Sequence, residues 1–195
     1  MTRGDHACGS DRVAEVARSL DADIIVNVQG DEPLIDSETI DRAVEALVED
    51  RDAQVATTWE HITDPSDVLS PAVVKVVVDS QRNGLYFSRA PIPWPREPVG
   101  RYGSLAAALK HEPALLSSFK KHTGLYAYRR AFLLDFTSWP QSHLEHTEAL
   151  EQLRALERGV KIKVVEAGAS SIGVDTIEDF ERAREIIERG LRVAV

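Results

Sequence analysis

The sequence predicts an α/β protein: a mixed, mostly parallel sheet flanked by helices, with one antiparallel hairpin. Three observations carry this. The stretch DIIVNVQGDEP (23–33) opens with a β-branched apolar run, Ile24 to Val28, and stops abruptly at turn-forming and acidic residues. A short apolar run bounded in this way reads as a buried strand, of the kind found in parallel sheets. The second observation is a strand–helix–strand succession over residues 24–28, 36–49 and 54–60, which favours a right-handed parallel crossover. The third is Val73–Asp79 and Leu85–Ser88 on either side of Asn83-Gly84, a strong hairpin dipeptide.

The elements follow in order. Val13, Val16, Ala17 and Leu20 repeat at helical spacing, so Ser10–Leu20 is a helix, with Ser10 or Asp11 as its cap. Ile40, Ala43, Val44, Leu47 and Val48 form the apolar stripe of the second helix. Pro65 and Pro71 interrupt the pattern. Residues 90–100 hold Pro91, Pro93, Pro95 and Pro98, which excludes helix and central strand and leaves Trp94 exposed. Ser104–Lys110 is compatible with a short helix. His122–Tyr128 reads as a strand ending at Arg129 and Arg130, followed by helical turns over Ala131–Phe136. Leu144–Arg158 reads as one helix, with Leu150, Leu153 and Leu156 on its apolar side and Gly159 as its stop. Lys161–Glu166 is a strand. A last helix starts at Thr176, with Asp179 at the capping-box position, and ends at Gly190. No repeat, low-complexity tract or second domain is visible in the 195 residues.

Composition narrows the function. A formal charge of −9 argues against a general nucleic-acid binder, which carries a basic face. It leaves room for a nucleotide site, where a few local cations and a metal suffice. The single cysteine, Cys8, excludes an internal disulfide and suits a reducing cytoplasm. No apolar run approaches the ~20 residues needed to span a membrane.

The chemistry-bearing residues sit at strand ends and helix starts. Ligands in open α/β sheets bind beyond the carboxyl ends of strands. There the sequence places Gln29, Asp31 and Glu32, and Asp31 or Glu32 suits Mg²⁺, a hard cation that takes oxygen ligands and shares them with phosphates. An ordinary strand-ending turn accounts for the same residues equally well. Asp175 stands on another strand-end turn, and two such acids can converge on one site. The small-residue turn before the first helix, His6 to Ser10, offers free backbone N–H groups to an anion or a base edge. His143 and His146 have metal-like spacing but read as solvated helix-start residues. Walker-type, dinucleotide-binding and Cys-x-x-Cys motifs are absent.

NVQGDEP resembles the signature of the 3-deoxy-manno-octulosonate (Kdo) cytidylyltransferases, also called CMP-Kdo synthetases. Six further pieces are similar and fall in the family's order: DHACGSDRVAEV (5–16), AVVKVVVD (72–79), LYFSRAPIPWPR (85–96), KHTGLYAYRR (121–130), LEHTEALEQLRALERG (144–159) and GVDTIEDFERAR (173–184). The resemblance implies a nucleotide-diphospho-sugar transferase-like, Rossmann-like fold and transfer of CMP from CTP to a sugar acid. It implies a Mg²⁺ held by the catalytic acids Asp31 and Asp175. It assigns Gly9, Ser10, Arg12 and Gln29 to the nucleotide, and Gln29, Arg89, His122, Tyr126, Glu151 and Gln152 to the sugar acid. At Cys8 and Ser10 the chain departs from the family's common Ser-Gly-Thr pattern.

The same resemblance implies a cytoplasmic homodimer working in lipopolysaccharide synthesis. It also implies a chain beginning inside the family's pattern, without the front strand and the loop that cradles the triphosphate. Two alternatives therefore stand beside CMP-Kdo formation. One is a cytidylyltransferase for a related sugar acid such as an amino-Kdo, and the other is an inactive fragment.

Overall fold

The computed structural model describes all residues except 1, 5, 7, 31, 169–173, 175, 194 and 195, and the backbone alone at 179 and 189–193. The elements are α1 (Gly9–Ala17), β1 (Ile24–Asn27), α2 (Ser37–Glu49), β2 (Val55–His61), α3 (Pro65–Leu69), β3 (Lys75–Val78), β4 (Gly84–Ser88), α4 (Arg96–Tyr102), α5 (Leu105–His111), β5 (Lys120–Arg129), α6 (Arg130–Phe136), α7 (His143–Glu148), α8 (Gln152–Leu156), β6 (Ile162–Glu166) and α9 (Ile177–Val193).

The described strands form one open mixed sheet in the order β4-β3-β5-β2-β6, with β1 beside β5 as well. Strands β1, β2 and β3 are each antiparallel to β5, β6 is parallel to β2, and β4 is antiparallel to β3. So β1, β2, β3 and β6 run one way, as the sequence suggests. Among the described strands only β2 and β6 are parallel neighbours, because β5 runs backwards between the others. The expected parallel partnership of the first strand is replaced by antiparallel pairing, Ile24 opposite Arg129 through Asn27 opposite Tyr126.

Helices cover both faces, which is why β2 is buried at all but its last residue. On one face α2 packs Ala43 and Leu47 against Ala56, Leu125, Ala127 and Val165. On the other, Ala14 and Ala17 of α1, Phe132 and Phe136 of α6 and Leu153 of α8 pack against Val55, Tyr126 and Tyr128. Alternation along a strand sends Val55 and Ala56 to opposite faces.

Several expectations are corrected. Cys8, not Ser10 or Asp11, occupies the N-cap of α1, while Ser10 is buried and Val16 and Leu20 are exposed. Pro65 opens α3 at its first turn behind Asp64, whose side chain accepts from Ser66 N–H. Pro98 lies inside α4, but in the first turn, where a missing N–H costs nothing. The β3–β4 turn is not built on Asn83-Gly84. Arg82 takes the left-handed conformation at φ 64, and the Asp79 carboxylate accepts from the backbone N–H and the side-chain amide of Asn83. Helix α9 runs past Gly190. The capping role of Asp179 falls on a side chain outside the described set.

The largest correction is at 144–158, where one helix becomes two. Helix α7 starts with a capping box between Ser142 and Glu145 and ends where Ala149 turns left-handed, at φ 52. Two residues, Leu150 and Glu151, separate the reversal from α8. Gly159, also left-handed at φ 73, ends α8 as expected.

Candidate active site

A cavity of about 610 Å³ opens on the face covered by α1 and α8. Its walls come from the start of α1 (Gly9, Ser10), the end of β1 (Asn27, Gln29), the middle of β5 (His122, Gly124, Tyr126, Tyr128), residues 72–74 with Arg89, and the segment between α7 and α8 (Ala149 to Gln152). Eight of the sequence-predicted residues thus meet: Gly9, Ser10, Gln29, Arg89, His122, Tyr126, Glu151 and Gln152. A larger groove of about 1220 Å³, lined by Trp59, Lys120 and Lys163 among others, contains none of them.

The walls are tied together by polar contacts. Ser10 Oγ–H donates to a Glu151 carboxylate oxygen at 2.6 Å, joining α1 to the segment before α8. Gln29 lies flat against Gly124, where a Cβ would stand 3.2 Å from its amide carbon and nitrogen. His122 Nε2 is 2.8 Å from Thr57 Oγ1, and its ring is held edge-on to Phe87 with centroids 5.0 Å apart. Burial pushes the His122 pKa down to about 3, so the imidazole is neutral at physiological pH. Tyr126 and Tyr128 stack at 5.6 Å, and burial raises both phenols well above their usual range. They enter the site as O–H groups. Gln152 is 7% exposed, and its Nε2 has no hydrogen-bond partner among the described residues. A sealed, unpaired amide donor is costly unless a ligand completes it.

Arg89 lines the cavity, but its guanidinium is spent on main-chain carbonyls. Nε–H donates to Glu148 O at 2.7 Å, Nη1 to Pro71 O at 2.9 Å and Nη2 to Ala149 O at 3.4 Å. Lys75, fully buried at the start of β3, donates to Ser70 O, Val73 O and Arg89 O at 2.8, 2.6 and 2.7 Å. Glu148 completes the set, accepting from Ser88 Oγ–H at 2.7 Å and Arg89 N–H at 3.0 Å. These three charged residues clamp residues 70–74 to the α7 end and hold the carbonyls that the left-handed Ala149 leaves unpaired. Arg89 thus holds three main-chain oxygens beside the cavity that it lines.

Arg12 stands apart from the cavity residues. It is exposed and absent from the cavity, because it lies two residues beyond buried Ser10, about 200° round the helix. Asp31 and Asp175 lie outside the described residues. The thiol of Cys8 beside the site is pushed up to about 11, mainly by burial, which makes it a poor nucleophile. His143 and His146 are exposed on α7.

Comparison with known proteins places this arrangement. Residues 1–162 match the family model described as Cytidylyltransferase. The 3-deoxy-manno-octulosonate cytidylyltransferase of Pelobacter propionicus is 51% identical over 185 residues, covering 95% of this chain and 71% of that protein. The one of Solibacter usitatus is 46% identical over 191 residues, covering 98% of this chain and 70% of that protein. The chain belongs to the 3-deoxy-manno-octulosonate cytidylyltransferase family. A solved CMP:2-keto-3-deoxy-manno-octonic acid synthetase complexed with CTP superposes on this cytidylyltransferase with a TM-score of 0.83 at 37% identity, covering 97% of this chain and 72% of the other. A 4-diphosphocytidyl-2C-methyl-D-erythritol synthase from Anaerococcus prevotii, at 15% identity and a TM-score of 0.52, shares the fold alone.

Sequence reasoning missed several residues of this cytidylyltransferase's cavity. Tyr128 repeats Tyr126 at strand spacing, and Gly124 inside a strand marks a close approach; both signals were available. Asn27 was the polar residue in an otherwise apolar run. Nothing in the sequence pointed to Thr57 or to the use of Lys75 and Glu148.

Proposed function

We propose that this cytidylyltransferase joins CTP to 3-deoxy-manno-octulosonate, giving CMP-Kdo and pyrophosphate. The anomeric hydroxyl oxygen of the sugar acid bonds to the α-phosphorus and its proton is released to water, the bond from that phosphorus to the bridging oxygen breaks, and pyrophosphate leaves with the electron pair. The protein is asked mainly for positioning and charge compensation. The observation that carries the reading is the cavity in which the α1 turn meets Glu151 and Gln152. The nucleotide-side Ser10 and the sugar-side Glu151 share a proton there. The unpaired Gln152 Nε2 offers a donor to a sugar oxygen, and Glu151 offers an acceptor to a sugar hydroxyl. Tyr126 and Gln29 close the sides.

A divalent metal fits the donor chemistry of the turn that follows β1. Beside Asp31, a buried Glu32 carboxylate oxygen has no partner among the described residues, as expected where a hard cation is the missing one. Asp31 and Asp175 would hold Mg²⁺, which when bound would neutralise charge on the phosphates. The reading includes a cytoplasmic homodimer. Among the described residues no helix is long and apolar enough to cross a membrane.

The test is direct. Incubated with CTP, Kdo and Mg²⁺, the chain should release pyrophosphate in step with CMP-Kdo, and Asp31→Asn should abolish both while the circular dichroism spectrum stays unchanged. Near-normal turnover in Asp31→Asn would remove that residue from the assignment, and no Kdo-dependent pyrophosphate from the parent chain would remove the reaction.

A further inference from the structure

We propose that Thr57 is a positioning residue that fixes His122 as its Nε2–H tautomer, so that the ring presents a hydrogen-bond acceptor, Nδ1, to the sugar acid. The proposal rests on the reading of the cavity as a sugar-acid site. It begins from a count of protons. Thr57 is fully buried, and its Oγ1 lies 2.8 Å from Leu125 O and 2.8 Å from His122 Nε2. A hydroxyl has one proton to give, and a carbonyl can only accept. The Thr57 proton therefore goes to Leu125 O, and Nε2 carries a proton that it donates to Thr57 Oγ1. The opposite assignment would leave two bare oxygens facing each other at 2.8 Å in a sealed site, a costly arrangement.

The backbone explains why that carbonyl is available. The β2–β5 register jumps between Thr57, opposite Tyr126, and Thr58, opposite Thr123. Gly124 and Leu125 fall in the gap, and this irregularity accompanies the approach of Leu125 O to Thr57 Oγ1. The ring itself is fixed between Phe87 and Tyr126. Because burial keeps the imidazole neutral, it has a single proton to place. With Nε2–H engaged, Nδ1 has no hydrogen-bond partner among the described residues, and it is what the ring offers to the cavity that it lines.

The consequence is a division of labour. His122 selects a group that donates, a sugar hydroxyl, while Gln152 Nε2 in the same cavity selects a group that accepts. A hydroxyl-poor analogue would leave Nδ1 unpaired, which is the costly kind of mismatch.

Long-range ¹H–¹⁵N spectra of the uniformly labelled full chain read the tautomer directly, with His122 assigned by its loss in His122→Gln. A pyrrole-type Nε2 and a pyridine-type Nδ1 are expected; the reverse pattern overturns the proposal without any variant being made at Thr57. In steady-state kinetics Thr57→Val should raise KM for Kdo by about tenfold or more while KM for CTP stays within roughly twofold, and Thr57→Ser should restore both the tautomer and KM. Unchanged KM for Kdo in a Thr57→Val protein overturns the role in selection. A wild type with the Nε2–H tautomer but no Kdo-dependent turnover overturns instead the reading of the cavity, and sugar selection by His122 with it.

Discussion

Ser10 and Glu151, separated by 141 positions in the chain, share a 2.6 Å hydrogen bond that joins two walls of the cavity. The first belongs to the turn assigned to the nucleotide and the second to the wall assigned to the sugar acid. Hydrogen bonds to a charged group are worth roughly 1.5–3 kcal/mol, so removing this one changes both sides of the site. Ser10→Ala should raise KM for Kdo as well as for CTP, each by about tenfold. An effect on CTP alone would show that the bond does not join the two subsites.

Gln152→Leu separates stability from function. The substitution keeps the volume and removes a buried donor that has no partner in the free protein. Replacing such a group by an apolar isostere is close to neutral or stabilising. The melting temperature should hold or rise, while KM for Kdo rises by about tenfold or more and KM for CTP is little changed. A clear fall in melting temperature would mean that the amide serves the fold.

Arg89→Ala should cost stability as well as activity. Its three contacts are to main-chain carbonyls, two of them at partly exposed atoms, so a loss of about 2 kcal/mol is expected, or a melting temperature about 4–8 °C lower. Arg89→Lys should rescue little, because an ammonium cannot reach all three oxygens. An Arg89→Ala protein that melts like the wild type would return this residue to substrate binding alone.

Stability should fall with acid from near neutrality. The unfolded His122 takes up a proton near its ordinary value of 6.5 and the folded one only near 3, so between these the unfolded state binds more protons and stability drops as pH falls. The slope is at most about 1.4 kcal/mol per pH unit from this group. Asp50, held down to about 2 chiefly by its hydrogen bond to Lys163, adds a loss of the same sign only below its usual 3.8. Denaturant midpoints for His122→Gln should be flatter than wild type from pH 6.5 to 4; parallel profiles would assign the acid loss elsewhere.

The legible parts of the chain are those where local chemistry and tertiary context agree. Ile24–Val26 and the stripe of α2, apart from the exposed Val48, show their burial in their own residues. The break at Ala149 is illegible because alanine is the best helix former, and its cause lies with Arg89 and Glu148, brought in from elsewhere. Pro98 misled because its penalty depends on position within the helix. Convergence of Glu151 and Gln152 with Ser10 was readable only through the family resemblance, since both also fit a solvated helix flank. The two acids on which the metal reading depends, Asp31 and Asp175, fall outside the described residues.

The reversed strand β5 also has a bearing on how the chain assembles. It is the described neighbour that β1, β2 and β3 have in common, and it is made after all three. While the polypeptide emerges from the ribosome, the β3–β4 hairpin is the one described strand pair able to close. The first strand, complete at Asn27, waits for residues 126–129 before its backbone finds a described partner. Contacts this distant in sequence are slow to form, and unpaired apolar strands are open to misassociation meanwhile. Synthesis of residues 120–129 is thus the event that lets these described strands pair, and a pause in translation before them prolongs the interval in which they stand unpaired.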